Sequence, residues 1–192
     1  MTRITALDIA KRDDLTPEMK AYLAKCEEKL GFVPNVLAAY AFDQKKLDAF
    51  VKMSDELMLA PSGVSRLERE MISVVVSAIN HCFYCVVAHA ARVRQLSSDE
   101  KLGDALSVNY RAAEGLTPKQ RAMLDFAAKM TEAAHKIEEP DRAALRDAGW
   151  SDADIWDIAA IAGFYNMSNR MASAMDLRPN AEYHGMGRKG TN

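Results

Sequence analysis

The chain has 192 residues, 49% of them hydrophobic and 27% charged, with 25 basic against 27 acidic side chains and a formal charge of -2. This is the composition of a globular protein large enough to bury a core, and without a basic stripe it offers nothing electrostatic to nucleic acid or to an anionic membrane. The opening MTRITALDIAKRDD meets charges before any apolar run of signal length, and no apolar stretch approaches the roughly 20 residues that span a bilayer, so the expected setting is cytoplasmic, with no membrane partner.

Helical periodicity runs through the chain. Thr16-Pro17 supplies a cap and a first-turn proline, Met19, Leu23, Cys26 and Leu30 follow at helical spacing, and Gly31 stops a first helix predicted over 17–30. After the link Phe32-Val33-Pro34-Asn35 and a short apolar run, a helix is predicted near 43–59, ended by Pro61-Ser62-Gly63. Ser65 to Glu68 has capping-box spacing and opens a helix to about Ala78; another begins near Cys82 and runs to about Leu96. A short helix follows over 98–107, a long one from Thr117-Pro118 to about Lys136, and a short one over 140–148. Ser151 to Asp154 then repeats the capping-box spacing ahead of a final long helix. No segment alternates as a strand, so the expected fold is all-α.

A worn internal repeat divides the chain. Leu47-Asp48 and Lys52 to Asp55 match Leu124-Asp125 and Lys129 to Glu132 at an offset of 77, while the stretch from Gly63 to Asn80 matches Gly149 to Asn166 at an offset of 86. The nine added residues fall around Glu138 to Ala144. One domain over 1–192 is expected, with helical halves of about 1–97 and 98–177 and a tail over 178–192. At the offset of 86, Glu70, Cys82, Cys85 and His89 align with Trp156, Ser168, Met171 and Met175, so the second half lacks the reactive groups. Apolar residues at 71–79 and 155–165 cover more than one helix face, which suggests burial against a second copy and a homo-oligomer.

Chemistry concentrates in INHCFYCVVAHA, residues 79–90, which holds two of the three cysteines and two of the four histidines. Cysteine packs well as a small hydrophobe, so a purely structural pair is one reading. A metal site is a second, but Cys82, Cys85 and His89 supply three ligands, and neither a second Cys-x-x-Cys nor a close His pair completes a structural zinc set; no metal and no cofactor are expected. A dithiol redox centre is the third. His89 lies four residues beyond Cys85 and seven beyond Cys82, on one helix face, and both sulfurs fall in a first turn, where backbone N–H groups favour thiolate. If the chain reverses near Asn80, Glu70 and His89 stand at one height on antiparallel helices, and a carboxylate there would orient the imidazole. Cys26 reads as core.

Glu70, Cys82-x-x-Cys85 and His89, at this spacing within EREMISVVVSAINHCFYCVVAHA, resemble the active-site signature of the alkylhydroperoxidase D and carboxymuconolactone decarboxylase superfamily. LGFVPN at 30–35 and LRPNAEYHGMGR at 177–188 resemble its peroxidase-related branch. The resemblance implies an all-helical, homo-oligomeric, cofactor-free thiol peroxidase of alkyl or hydrogen peroxides. In it Cys85 meets the peroxide, Cys82 resolves the sulfenic acid, and Glu70 and His89 relay protons. An external dithiol, a lipoyl or thioredoxin-like protein, would reset the pair. The founding peroxidase carries His before its second cysteine, where this chain has Tyr84. The alternatives are a dithiol-disulfide oxidoreductase, a redox-sensing or metal-binding helical module, and a lactone decarboxylase, a branch that acts without a Cys-x-x-Cys pair.

Overall fold

In the computed structural model the described residues, 3–9 and 14–189, form helices, turns and no strand. Residues 1–2 and 190–192, where the expected first half begins and the expected tail ends, lie outside them, as do residues 10–13. Ten α-helices follow in order: α1 Pro17–Leu30, α2 Asn35–Tyr40, α3 Gln44–Leu59, α4 Arg66–Ile79, α5 Phe83–Ser97, α6 Glu100–Asn109, α7 Pro118–Ala133, α8 Glu139–Asp147, α9 Asp152–Ala174 and α10 Glu182–Gly185.

The local signals act as their chemistry dictates. Thr16 caps α1, whose C-terminus closes on Gly31 at φ 81°, and reciprocal capping boxes form at Ser65/Glu68, Thr117/Gln120 and Ser151/Asp154. Two expectations need correction. The apolar run after Asn35 is the helix α2, which has no side-chain cap, and the long helix from Pro118 ends at Ala133, with a 3₁₀ turn over Ala134–Lys136. The interval between α7 and α9 holds α8, whereas 60–65 suffices between α3 and α4, and this is where the repeat offset changes.

Helix α4 is the axis of the core. Every residue from Met71 to Ser77 is buried, enclosed by α5, α6, α7 and α9. Its apolar faces are thus covered by the chain itself, contrary to the expectation that 71–79 needs a second copy. α4 and α9 run in the same direction: the Ser62 hydroxyl donates to Asp157 near their beginnings, and Asn80 Nδ2 donates to Asn166 Oδ1 (3.0 Å) near the end of α4. Asn80 and Asn166 are aligned positions of the repeat, so the matched segments touch through equivalent residues. α9 leaves Trp156, Met167 and Met171 exposed along one outer stripe.

Arg69 ties α4 to what precedes it. The guanidinium is buried and donates to three backbone carbonyls, Leu57 (3.0 Å) and Ala60 (2.7 Å) at the end of α3, where they are orphan acceptors, and Val64 (2.8 Å) in the loop before α4. It therefore turns away from its neighbour Glu70. The two flanking motifs singled out in the sequence also meet. The Asn35 N–H donates to Asn180 Oδ1 (2.8 Å), Asn180 Nδ2 donates to the Val33 carbonyl (3.0 Å), and Tyr183 packs edge-on against Phe32. The C-terminal segment is thereby folded back beside the first turn of α5. Replacing Arg69 by Met keeps its length but leaves these carbonyls unanswered; Arg69→Met is expected to lower unfolding free energy by about 2–4 kcal/mol, read as a lower urea midpoint at unchanged slope.

Candidate active site

The site is made by a reversal of three residues. α4 ends in a turn in which the His81 N–H donates to the Ala78 carbonyl (3.1 Å) and the Cys82 N–H to that of Ser77 (2.9 Å), the hydrogen-bond pattern of a Schellman motif. His81 takes the left-handed position at φ 53°, where glycine is usual. Cys82 follows as the N-cap residue of α5, Cys85 lies in its first turn, and α5 runs back antiparallel along α4.

That reversal brings the four candidate residues together. His89 Nδ1 stands 2.6 Å from Glu70 Oε2, both side chains largely buried, and Tyr165 packs edge-on against the imidazole at 4.6 Å between centroids. With Nδ1 engaged, Nε2 is the ring nitrogen left for exchange. Glu70, His89 and Cys85 line one cavity of about 230 Å³, walled by apolar side chains of α2 and α3 and by Tyr165 and Tyr183. Cys26 is half-buried and lines the same cavity, so it is not the enclosed core residue its spacing suggested; burial and the Asp55 carboxylate raise its thiol pKa.

Both thiols of the pair are free and buried. The Cys82 thiol pKa falls to about 6. The thiol of Cys85 donates to it, outweighing burial, and further support comes from three sources: the Cys85 amide, which faces the sulfur without completing a capping hydrogen bond, the Ser173 hydroxyl and the charge of His89. The pKa of Cys85 is driven up, first because its proton is shared with Cys82 and then by burial. The pair thus gives up one proton readily and keeps the second.

Sequence reasoning missed the polar shell beneath the sulfurs. Ser77 and Asn169 are buried and both hydrogen-bond Cys85. Asn169 Nδ2 donates to Ser77 Oγ (3.0 Å), and Asn80 Nδ2 donates to Asn169 Oδ1 (3.0 Å). The available signal was a pair of serines, Ser73 and Ser77, in the otherwise apolar run of α4 and an asparagine on the inner face of α9, since buried polar groups in native proteins are partnered. Tyr84, at the position of the family histidine, is a wall residue: its hydroxyl accepts from the Val36 N–H (3.2 Å) and is hydrogen-bonded to Tyr183. Among the described residues no three His, Cys, Asp or Glu side chains are grouped to hold a metal ion, and no helix is long and apolar enough to cross a membrane.

Comparison with known proteins places this geometry. The model of the Carboxymuconolactone decarboxylase family matches residues 44–128, which contain all four candidate residues. The crystal structure of an uncharacterized peroxidase-related protein from Silicibacter sp. TM1040 is 59% identical, with a TM-score of 0.93 and 97% of each chain covered. That of an alkylhydroperoxidase AhpD core, an uncharacterized peroxidase-related protein from Ralstonia eutropha JMP134, is 42% identical, again at a TM-score of 0.93, with 98% of each chain covered. The uncharacterized protein YdfG of Bacillus subtilis (strain 168) is 26% identical over 129 residues, 67% of this chain and 86% of its own.

The thiolate assignment has a direct readout. Alkylation of the reduced protein is expected to fall on Cys82 with a midpoint near the pH of about 6 set by its lowered pKa, the rate declining as pH drops through that value. Cys26, raised from its ordinary value, reacts slowly until alkaline pH. Ser173→Ala, which removes a donor to the sulfur, moves the Cys82 midpoint upward. Residue-resolved mass spectrometry after timed alkylation checks all three.

Proposed function

Because the chain belongs to the alkylhydroperoxidase D-like and carboxymuconolactone decarboxylase superfamily, in its peroxidase-related branch, we propose that it is a thiol peroxidase that reduces organic or hydrogen peroxides with the Cys82/Cys85 dithiol and is reset by an external dithiol. The observation that carries this reading is the Glu70–His89 pair at 2.6 Å in the cavity lined by Cys85, with a second, acidified thiol at the back of the same helix turn.

The steps follow from what each group can do. The dithiol carries one negative charge, resting on Cys82. Passage of the Cys85 proton to Cys82 places the charge on the sulfur that lines the large cavity. Cys85 then attacks the distal oxygen of ROOH; the S–O bond forms, the O–O bond breaks, and the departing alkoxide takes a proton supplied through His89 Nε2, with Glu70 holding the ring. The Cys82 sulfur, giving up the proton it took from Cys85 to the leaving hydroxide, attacks the sulfenic sulfur; an S–S bond replaces the S–O bond and water departs. The balance is dithiol plus ROOH to disulfide plus ROH plus H₂O.

The acidity of Cys82 suits it to resolution, since it releases that proton readily once the sulfenic acid has formed. The chemistry requires neither metal nor organic cofactor. Self-association belongs to the same proposal: the exposed stripe of Trp156, Met167 and Met171 on α9 is an apolar face that a second copy would cover. A single sedimenting species of 21.3 kDa at micromolar concentration would refute that part.

The test of the reaction is a peroxide consumption assay on the reduced protein, with the Cys82–Cys85 disulfide formed in step. Glu70→Gln and His89→Gln should each slow oxidation by roughly 10²–10⁴-fold, the usual worth of acid/base assistance. The double variant should cost little more than the worse single one, because the two act as a unit. Multiplicative losses would reduce Glu70 to a bystander, and peroxide left unconsumed by the wild type would refute the function.

A further inference from the structure

The two sulfurs do not open on the same space. Cys85 lines the cavity of Glu70 and His89, while Cys82 lines a second cavity of about 190 Å³ formed by the ends of α4 and α9 and the start of α5; neither cysteine is shared, and Tyr84 borders both. The second cavity is bordered by His81, Phe83, Ser173 and Asp176, and the first three of these are exposed, with Phe83 at 56%. Its rim is built from two matching chain ends. α9 closes as α4 does, the Asp176 N–H donating to Ser173 (3.2 Å) and the Leu177 N–H to Ala172 (2.9 Å), and Asp176 occupies the left-handed position at φ 49° as His81 does at 53°. Two non-glycine residues held in that region on one rim mark a shape that the surrounding contacts impose.

We propose that this second cavity is the entrance of the reductant, so that the two half-reactions use opposite faces of one dithiol; the proposal rests on the dithiol–disulfide cycle given above. Thiol–disulfide exchange needs the incoming sulfur in line with the bond it breaks. Attack on Cys82 therefore comes from the side away from Cys85, the side on which the second cavity lies. The reductant thiolate forms a bond to the Cys82 sulfur, the Cys82–Cys85 bond breaks, and its electron pair goes to Cys85. Asn169 and Ser77 stand ready to hydrogen-bond that departing thiolate, which then takes the proton of the reductant's second thiol. The second thiolate attacks the reductant's own sulfur in the mixed disulfide, which leaves the reductant oxidised to its cyclic or paired disulfide and Cys82 as thiolate.

The recess sets the kind of reductant. Cys82 is 1% exposed at the floor of a small cavity, so a slender aliphatic dithiol, free or borne on an arm, reaches the sulfur, and a flat protein surface does not. The alcohol product can still occupy the Cys85 cavity while this happens.

The test makes the disulfide with diamide, so that it is independent of whether peroxide is turned over. The oxidised protein is mixed with 2-mercaptoethanol, quenched in acid, alkylated and fragmented; the mixed disulfide is expected on Cys82, with Cys85 alkylated. A mixed disulfide chiefly on Cys85 overturns the proposal, as does failure of diamide to link the two. In a parallel measurement Ser173→Leu, which fills the cavity, should slow reduction of the preformed disulfide by dithiothreitol roughly tenfold or more, because exchange rates follow access. An equal rate in variant and wild type overturns it. Faster reduction by a thioredoxin-type protein than by dithiothreitol at equal concentration would overturn the slender reductant. A wild type that fails only with peroxide refutes the proposed function and leaves the regiochemistry readable.

Discussion

Everything chemical in this molecule depends on the chain turning back on itself between Ile79 and Phe83. A longer connection would let α5 slide along α4, and the level of His89 against Glu70 would be lost. The Schellman turn removes that freedom: it satisfies the last carbonyls of α4, commits His81 to the left-handed region, and delivers Cys82 directly as a helix cap. The 2.6 Å contact between Glu70 and His89, roughly two turns from the reversal along both helices, is held by the same hairpin. Because α4 is enclosed on all sides, the hairpin has a fixed partner to lie against.

The polar groups under the dithiol have a double task. Asn169, Ser77 and Asn80 join α4 and α9 where they pass closest to the sulfurs, and each is satisfied by the others. A hydrocarbon packing at this crossing would be as dense, but it would offer no donor to a sulfur that carries charge for part of the proposed cycle. Arg69 shows the same economy in the first turn of α4. A buried cation beside Glu70 in sequence is spent entirely on backbone carbonyls, which leaves the carboxylate to the imidazole.

Much of this was legible in the sequence, because the signals were local. Capping residues, first-turn prolines and apolar spacing located eight of the ten helices among the described residues, all but α2 and α10, and the Glu70 to His89 register followed from counting residues either side of a turn. What escaped depends on distant parts of the chain. α2 has six residues and no side-chain cap, so its helicity rests on docking rather than on its own signals. Asn169 lies in a stretch, Asn166 to Ser173, that looks like the wet face of a helix, and only the packing of α9 on α4 turns it inward. Cys26 has the spacing of a core residue, yet its neighbours stop short of enclosing it and leave it on a cavity wall. The meeting of the VPN and RPN segments joins residues 145 apart, which no periodicity could have paired.

The acidified sulfur of Cys82 has an electrochemical consequence. Stabilising a thiolate stabilises the reduced dithiol relative to the disulfide, which makes the couple's reduction potential less negative than that of an ordinary pair. In the proposed cycle this favours the reset by an external dithiol. The same ionisation alters how the potential follows acidity. Below a pH of about 6 reduction takes up two protons with its two electrons, and above it only one, so the potential falls by about 30 mV per pH unit rather than about 59. Against a dithiol reductant that stays protonated, whose potential falls about twice as fast, a couple poised in this way gains driving force for its reduction as the pH rises through neutrality.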